Sequence, residues 1–239
     1  MILRRITEHV KAQNWTAVAL DFVIVVVGVF MGIQLGNWNE ARGERFDTAV
    51  ALERLHEDFQ LILGQTERSL TRHEGYIQAT ARVINGARTG EYAEETLLED
   101  IQLIGDFSVP SGPSATYAEL VASGRLKLID NEDLRRSLKT WDDYVTLVRS
   151  EYGVFTGSLI QVRDVLLRAQ TLEASGVPNA DLDNLSRVIK VDLGLLSTDL
   201  EIGNQLQIAY AVQDNIYAIL YRNRGEIEKI IEMIEEEME

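Results

Sequence analysis

Apolar and polar positions divide the chain into two regimes. From Phe22 to Ile33 it reads FVIVVVGVFMGI, with no polar side chain. Extended outward to Trp15 and Trp38, this run predicts a helix of about 24 residues, about 36 Å long at 1.5 Å per residue. Such a helix crosses a hydrocarbon core of about 30 Å and places one tryptophan in each interfacial belt. From Leu52 onward the pattern turns periodic. Leu52, Leu55, Phe59, Ile62, Thr66, Leu70, His73, Ile77, Ala81 and Ile84 recur at intervals of three and four, as an amphipathic helix or coiled-coil seam requires.

No proline precedes Pro110, so this helix can continue directly from the apolar run, with Gly43, Gly64 and Gly75 as points of bending. A break is expected at Thr89 to Glu91, a short helix over Glu94–Ile104 and a loop over Ser108–Ser114. Ser114 is placed to cap a helix through Ala122, and Gly124 to end it in a left-handed conformation. Asn131 is placed to cap a long helix carrying Leu134, Leu138, Trp141, Val145 and Val148 on one face and running to about Leu172. Gly176 and Pro178 put a loop at Ser175–Ala180, followed by a short helix over Leu182–Lys190. Thr198 and Glu201 form a T-x-x-E capping box that opens a last helix, apolar at Ile202, Leu206, Ala209, Ile216, Leu220, Ile227, Ile230 and Ile234. No strand pattern competes over a comparable length. The expected fold is all-α: a basic amphipathic leader (1–14), one transmembrane helix (15–38) and an extramembrane helical domain (39–239) packed as an elongated antiparallel bundle.

Charge separates the same two regions. Residues 1–36 carry Arg4, Arg5 and Lys11 against Glu8 and Asp21, a net of +1, while the rest holds 20 basic and 36 acidic residues. A domain that acidic repels phosphate backbones, so nucleic acid is not an expected partner. Solubility is the plain meaning of the charge. The terminal Glu235–Glu236–Glu237 run is expected to fray into solvent, because acidic groups oppose the helix dipole there. No small-x-small site follows the apolar run, which favours an uncleaved signal anchor over a cleaved leader. With Arg4 and Arg5 at the membrane interface, and a large domain that crosses regardless of its charge, the amino terminus is expected in the cytoplasm and the domain in the periplasm.

Within the span, Gly28, Gly32 and Gly36 recur every four residues, a spacing that lets the backbone of a neighbouring helix come close in lipid. Asp21 precedes Gly28 by seven residues and falls about 20° from it around the helix, so a carboxyl group shares the glycine face. Such a group finds a protein partner or reaches headgroup water. Two occupants of the face are conceivable, a second transmembrane helix or lipid alone, and the first is expected.

Chemistry has little to stand on. The absence of cysteine removes disulfides, thiolate catalysis and thiolate metal sites. Glu53 and His56 make one E-x-x-H pair, but a di-iron bundle needs a second pair and further glutamates, so a plain exposed helical face is expected there. Gly105, Gly112 and Gly124 fit no nucleotide-binding fingerprint, and no serine has a histidine and acid in a catalytic arrangement. Tyr76, Tyr117, Trp141, Tyr144 and Tyr152 are expected to pack the core rather than line a pocket. No catalytic residue, metal ligand or cofactor is expected, and the chain is not expected to be an enzyme.

Two blocks carry a resemblance. GIQLGNWNEAR, with Trp38, Asn39 and Glu40, and TYAELVASGRLKLIDNEDLRRSL, with Tyr117, Leu120, Ser123, Gly124, Leu126, Ile129, Asn131 and Leu134, resemble a family of uncharacterised bacterial single-pass membrane proteins. It covers about the first 140 residues in scattered form. The resemblance implies topology, not activity, and brings no catalytic residue. From the residues alone, Trp38 is an interfacial anchor, Asn39 and Glu40 mark the exit into water, and Ser123, Gly124 and Asn131 bracket a turn. Together these observations lead to the expectation of an accessory or scaffolding subunit of a membrane complex, whose partners are lipid and another transmembrane helix. A periplasmic ligand-sensing bundle acting through a membrane partner is the alternative.

Overall fold

The computed structural model describes residues 15–108, 111–174 and 186–239. It is all-α apart from one hairpin. The helices are α1 (Trp15–Thr89), α2 (Glu94–Leu103), α3 (Ala115–Ala122), α4 (Glu132–Leu166), α5 (Leu193–Thr198) and α6 (Leu200–Met238). Short 3-10 turns at Leu126–Leu128 and Leu167–Ala169 join them, and β1 (Gln170–Ala174) pairs antiparallel with β2 (Ser186–Val191). Residues 1–50 and 51–239 form separate compact units.

In the first unit α1 passes without a break through Gly28, Gly32, Gly36 and Gly43. Every large apolar side chain from Phe22 to Leu35 is exposed. This is the one helix among the described residues long and apolar enough to cross a membrane.

The second unit is a bundle of α1 from Ala51 onward with α4 and α6. Pair contacts fix the directions. His56 meets Glu235 at 2.9 Å and Thr80 donates to Gln213 at 2.8 Å, so α1 and α6 are antiparallel. The Ser137 hydroxyl lies 3.8 Å from the Met233 sulfur while Tyr144 bonds Asn223, so α4 and α6 are antiparallel too. Phe59 packs edge-on against Trp141 at 6.1 Å, and Tyr152 lies near Tyr76, so α1 and α4 run the same way. The expected antiparallel bundle therefore holds for α6 against both neighbours but not for α1 against α4. The cause is the stretch from Gly90 to Asn131, which carries the chain back along the bundle before α4 begins. Arg54 pairs with Glu119 of α3 at 2.5 Å, and Asp58 accepts from the Ser114 hydroxyl and the Thr116 N–H at 2.7 and 2.9 Å.

The core has two apolar clusters. One gathers Leu55, Phe59, Leu134, Trp141 and Ile227, and the other Val83, Ile104, Leu159, Leu206 and Ile216. Phe59 and Leu55 are fully enclosed, each worth about 1.5–3 kcal/mol relative to exposure. On α1 the clusters meet at Thr66, which bonds the Ile62 carbonyl and the Ser111 hydroxyl.

The local stop and start signals act largely as expected. Gly90, at φ 76°, follows the end of α1. Ser114 caps α3 by accepting from the Tyr117 N–H, and Asn131 caps α4 by accepting from the Asp133 and Leu134 N–H groups. Gly124, at φ 69°, closes α3 in a Schellman arrangement, its own N–H bonding Val121 and the Arg125 N–H bonding Leu120.

Four expectations are corrected. The helix expected to reach Leu172 ends at Leu166, and Gln170–Ala174 is a strand. The helix expected over Leu182–Lys190 is, from Ser186, the strand β2, while residues 182–185 and the loop at 175–180 lie outside the described residues. Val188 is buried while its neighbour Ile189 is 41% exposed, the alternation of a half-buried strand, and β2 packs on α2. The capping box is displaced by one residue. Asp199, not Thr198, caps α6 by accepting from the Glu201 and Ile202 N–H groups, and Thr198 closes α5 by donating to the Gly194 carbonyl. Arg168 then bridges Asp199 and Glu201. The acidic terminus, expected to fray into solvent, is exposed at Glu235 and Glu236 but helical to Met238: Glu235 pairs with His56, and Glu237 accepts from the Asn131 N–H at 3.3 Å. A carboxylate that opposes the dipole of α6 thus sits at the amino end of α4, where negative charge is favoured.

Candidate functional site

The glycine face is built by local geometry alone. At about 100° per residue, Gly32 and Gly36 lie about 40° and 80° around the helix from Gly28, and Gly43 falls between them at about 60°. A Cβ added at Gly28, Gly32, Gly36 or Gly43 would meet nothing within 4 Å. The four glycines therefore form an open strip on α1, longer by Gly43 than the sequence spacing suggested. Gly43 was expected only as a bend, because its seven-residue offset from Gly36 breaks the four-residue repeat while preserving the face. Leu35 and Val29 fall about 20° outside the two edges of this strip, and both are exposed, at 66% and 58%, which leaves the strip bordered by apolar side chains.

Of the other residues singled out, Trp15 and Asp21 lie on α1 with only their backbone described, and Arg4 and Arg5 lie outside the described residues. Trp38 is 59% exposed, and Asn39 and Glu40 continue the helix as exposed positions. Leu120, Ser123, Gly124 and Asn131 belong to the second unit. There they shape the α3–α4 turn: Leu120 is buried, and the Ser123 hydroxyl donates to the Glu119 carbonyl at 2.8 Å.

Asp58, which had drawn no notice, fastens that turn to α1. Burial pushes its carboxyl upward, but the Thr116 N–H, the Ser114 hydroxyl and the nearby Arg54 outweigh this and hold it below the ordinary carboxylate range. No sequence motif marks it, since Asp58 lies 56 residues from Ser114. His73 is enclosed in the bundle. Its Nδ1 faces the Ser69 carbonyl at 3.1 Å, its Nε2 has no partner, and burial pushes its pKa below the usual histidine value.

His56 and Glu53 do not gather a metal set, and among the described residues no three His, Asp or Glu side chains converge as ligands. A groove of about 370 Å³ opens between α4 and α6. Its floor includes Trp141 and Tyr144, and its rim includes Arg136, Arg222 and Lys229. Trp141 was expected as plain core. It is 5% exposed and packs on Phe59, yet it also forms a wall of this groove. Its position on the periodic stripe of α4 could not distinguish a core residue from a wall. No protein-family model, curated protein or solved structure matches the chain.

Proposed function

We propose that the helix from Trp15 to Trp38 anchors the chain once in a bacterial inner membrane, amino terminus inside and helical domain in the periplasm. The chain is then a non-enzymatic accessory or scaffolding subunit of a membrane protein complex. The observation that carries this reading is the open glycine strip on a helix whose apolar side chains are all exposed. An apolar surface of that extent is costly in water at about 25 cal/mol per Å² and marks a lipid or protein contact. In lipid the remaining drive for helix association is close packing, which a glycine strip favours. Membership of the single-pass family with the Trp38, Asn39 and Glu40 signature is part of the proposal.

The test is gentle native purification with mass spectrometry of what remains bound, for the wild type and for the double variant Gly28→Leu, Gly32→Ile. A stoichiometric membrane partner lost on double substitution is the expected result. Wild type recovered alone, or a partner retained equally by both proteins, would remove the scaffolding reading. The second reading, a ligand-sensing bundle working through a partner, draws support from the groove between α4 and α6.

A further inference from the structure

We propose that the groove between α4 and α6 binds a small amphiphilic monoanion, its apolar body against Trp141 and its acid group at Arg222. This goes beyond the scaffolding role and does not depend on it.

The floor sets the first requirement. Trp141, Tyr144, Ile230 and Met233 give it an apolar and aromatic surface, which a fully hydrated ion cannot use. Its volume of about 370 Å³ corresponds to roughly a dozen water molecules at about 30 Å³ each. A ligand of about that many non-hydrogen atoms fits.

The polar groups set the second. The Tyr144 hydroxyl is engaged by Asn223 and is not free for a ligand. The rim carries three cations, Arg136, Arg222 and Lys229, against one carboxylate, Glu226, in a chain whose net charge is −15. Two of those cations are already satisfied: Arg136 pairs with Asp133 at 2.8 Å and Lys229 with Glu226 at 2.9 Å. Arg222 has no carboxylate partner among the described residues. A guanidinium left unpaired beside an aromatic floor, on a surface that otherwise repels anions, selects a ligand bearing one negative charge. A cation would be repelled by the rim, and a purely apolar molecule would leave Arg222 without a partner. The acid group is a carboxylate or its equivalent, from a free aromatic acid or from a lipid-derived chain.

The full chain, in nanodiscs of phosphatidylcholine and labelled with 5-fluorotryptophan, reports on the site through the fluorine signal of Trp141, while Trp15 and Trp38 report on the bilayer. The probes are naphthalene-2-carboxylate for a free aromatic acid and decanoate for a lipid-derived one, with naphthalene-2-carboxamide and decanol as uncharged counterparts. The expected result is a saturable shift at Trp141 with at least one acid, weakened tenfold or more by Arg222→Gln and abolished by Met233→Phe, which fills the groove. The tighter acid identifies the source. The proposal is overturned if neither acid gives a saturable shift at Trp141, if Trp15 and Trp38 respond in parallel, or if the uncharged counterpart binds equally well. An undiminished response in Arg222→Gln overturns it too.

Discussion

One continuous helix carries two contrasting surfaces. Along α1 from Phe22 to Leu35 every large apolar side chain is exposed, from 44% at Val27 to 69% at Phe22. From Ala51 to Val83 the same helix buries Leu52, Leu55, Phe59, Ile62, Leu70, Ala79 and Val83 to 8% exposure or less. The difference is not hydrophobic content but its arrangement. An apolar stripe at three-and-four spacing can be covered by α4 and α6, whereas an all-round apolar surface cannot be covered by one protein face and suits lipid.

Two substitutions break this contrast most directly. Phe59→Ala removes a fully enclosed ring that packs on Trp141 and should destabilise the domain by about 3–5 kcal/mol in guanidinium denaturation. Phe30→Ala, at a site 60% exposed, should leave that transition unchanged within about 0.5 kcal/mol. Equal effects would mean that the two stretches of α1 are packed alike. Next in size, Val27→Arg places a charge in the middle of the apolar run at a cost of about 2.5–3.5 kcal/mol for insertion. It should deplete the chain from the membrane pellet after carbonate extraction, while Leu61→Arg, exposed on the domain, should not.

What could be read from the sequence follows the range of the interaction responsible. The caps at Ser114, Gly124 and Asn131 were legible because each depends on backbone groups within a few residues. The glycine strip was legible because helical spacing alone creates it. The hairpin was not, because the strand character of Val188 and Ile189 depends on β1 and on the covering helix α2. The cap of α6 was misplaced by one residue, because Asp199 and Thr198 both suit the role and only the end of α5 decides between them. The parallel course of α1 and α4 rests on where the return segment lands, set by Asp58 with Ser114 and Arg54 with Glu119, pairs more than 50 residues apart. The groove needs two helices in register before Trp141 and Arg222 share it.

A smaller effect sharpens the contrast within the domain. Asp58→Ala leaves the Thr116 N–H and the Ser114 hydroxyl without their acceptor and should cost about 1–3 kcal/mol. The carboxyl is held below its ordinary value in the folded protein, so its contribution is complete above about pH 4 and is lost as pH falls through the lower folded value. The gap between the denaturation midpoints of wild type and Asp58→Ala, measured from pH 7 to pH 3, should therefore narrow toward the acid end. A gap that stays constant would mean that the carboxylate charge is not what holds the turn.

The smallest effect concerns His73, the buried histidine within the apolar stripe of α1. In the folded protein its pKa is lowered by burial, so below about pH 6.5 the unfolded chain binds the proton more readily and stability falls with pH. His73→Leu removes both the orphaned Nε2 and this proton linkage. At pH 8 the variant should lie within about 1 kcal/mol of wild type, because losing an unsatisfied buried nitrogen offsets losing the Nδ1 contact with Ser69. At pH 5.5 it should be the more stable of the two. A variant that tracks wild type across this range would show that protonation of His73 is accommodated in the folded bundle, and that the stripe on α1 tolerates a charge where full burial and the Tyr76 ring against it argue that it does not.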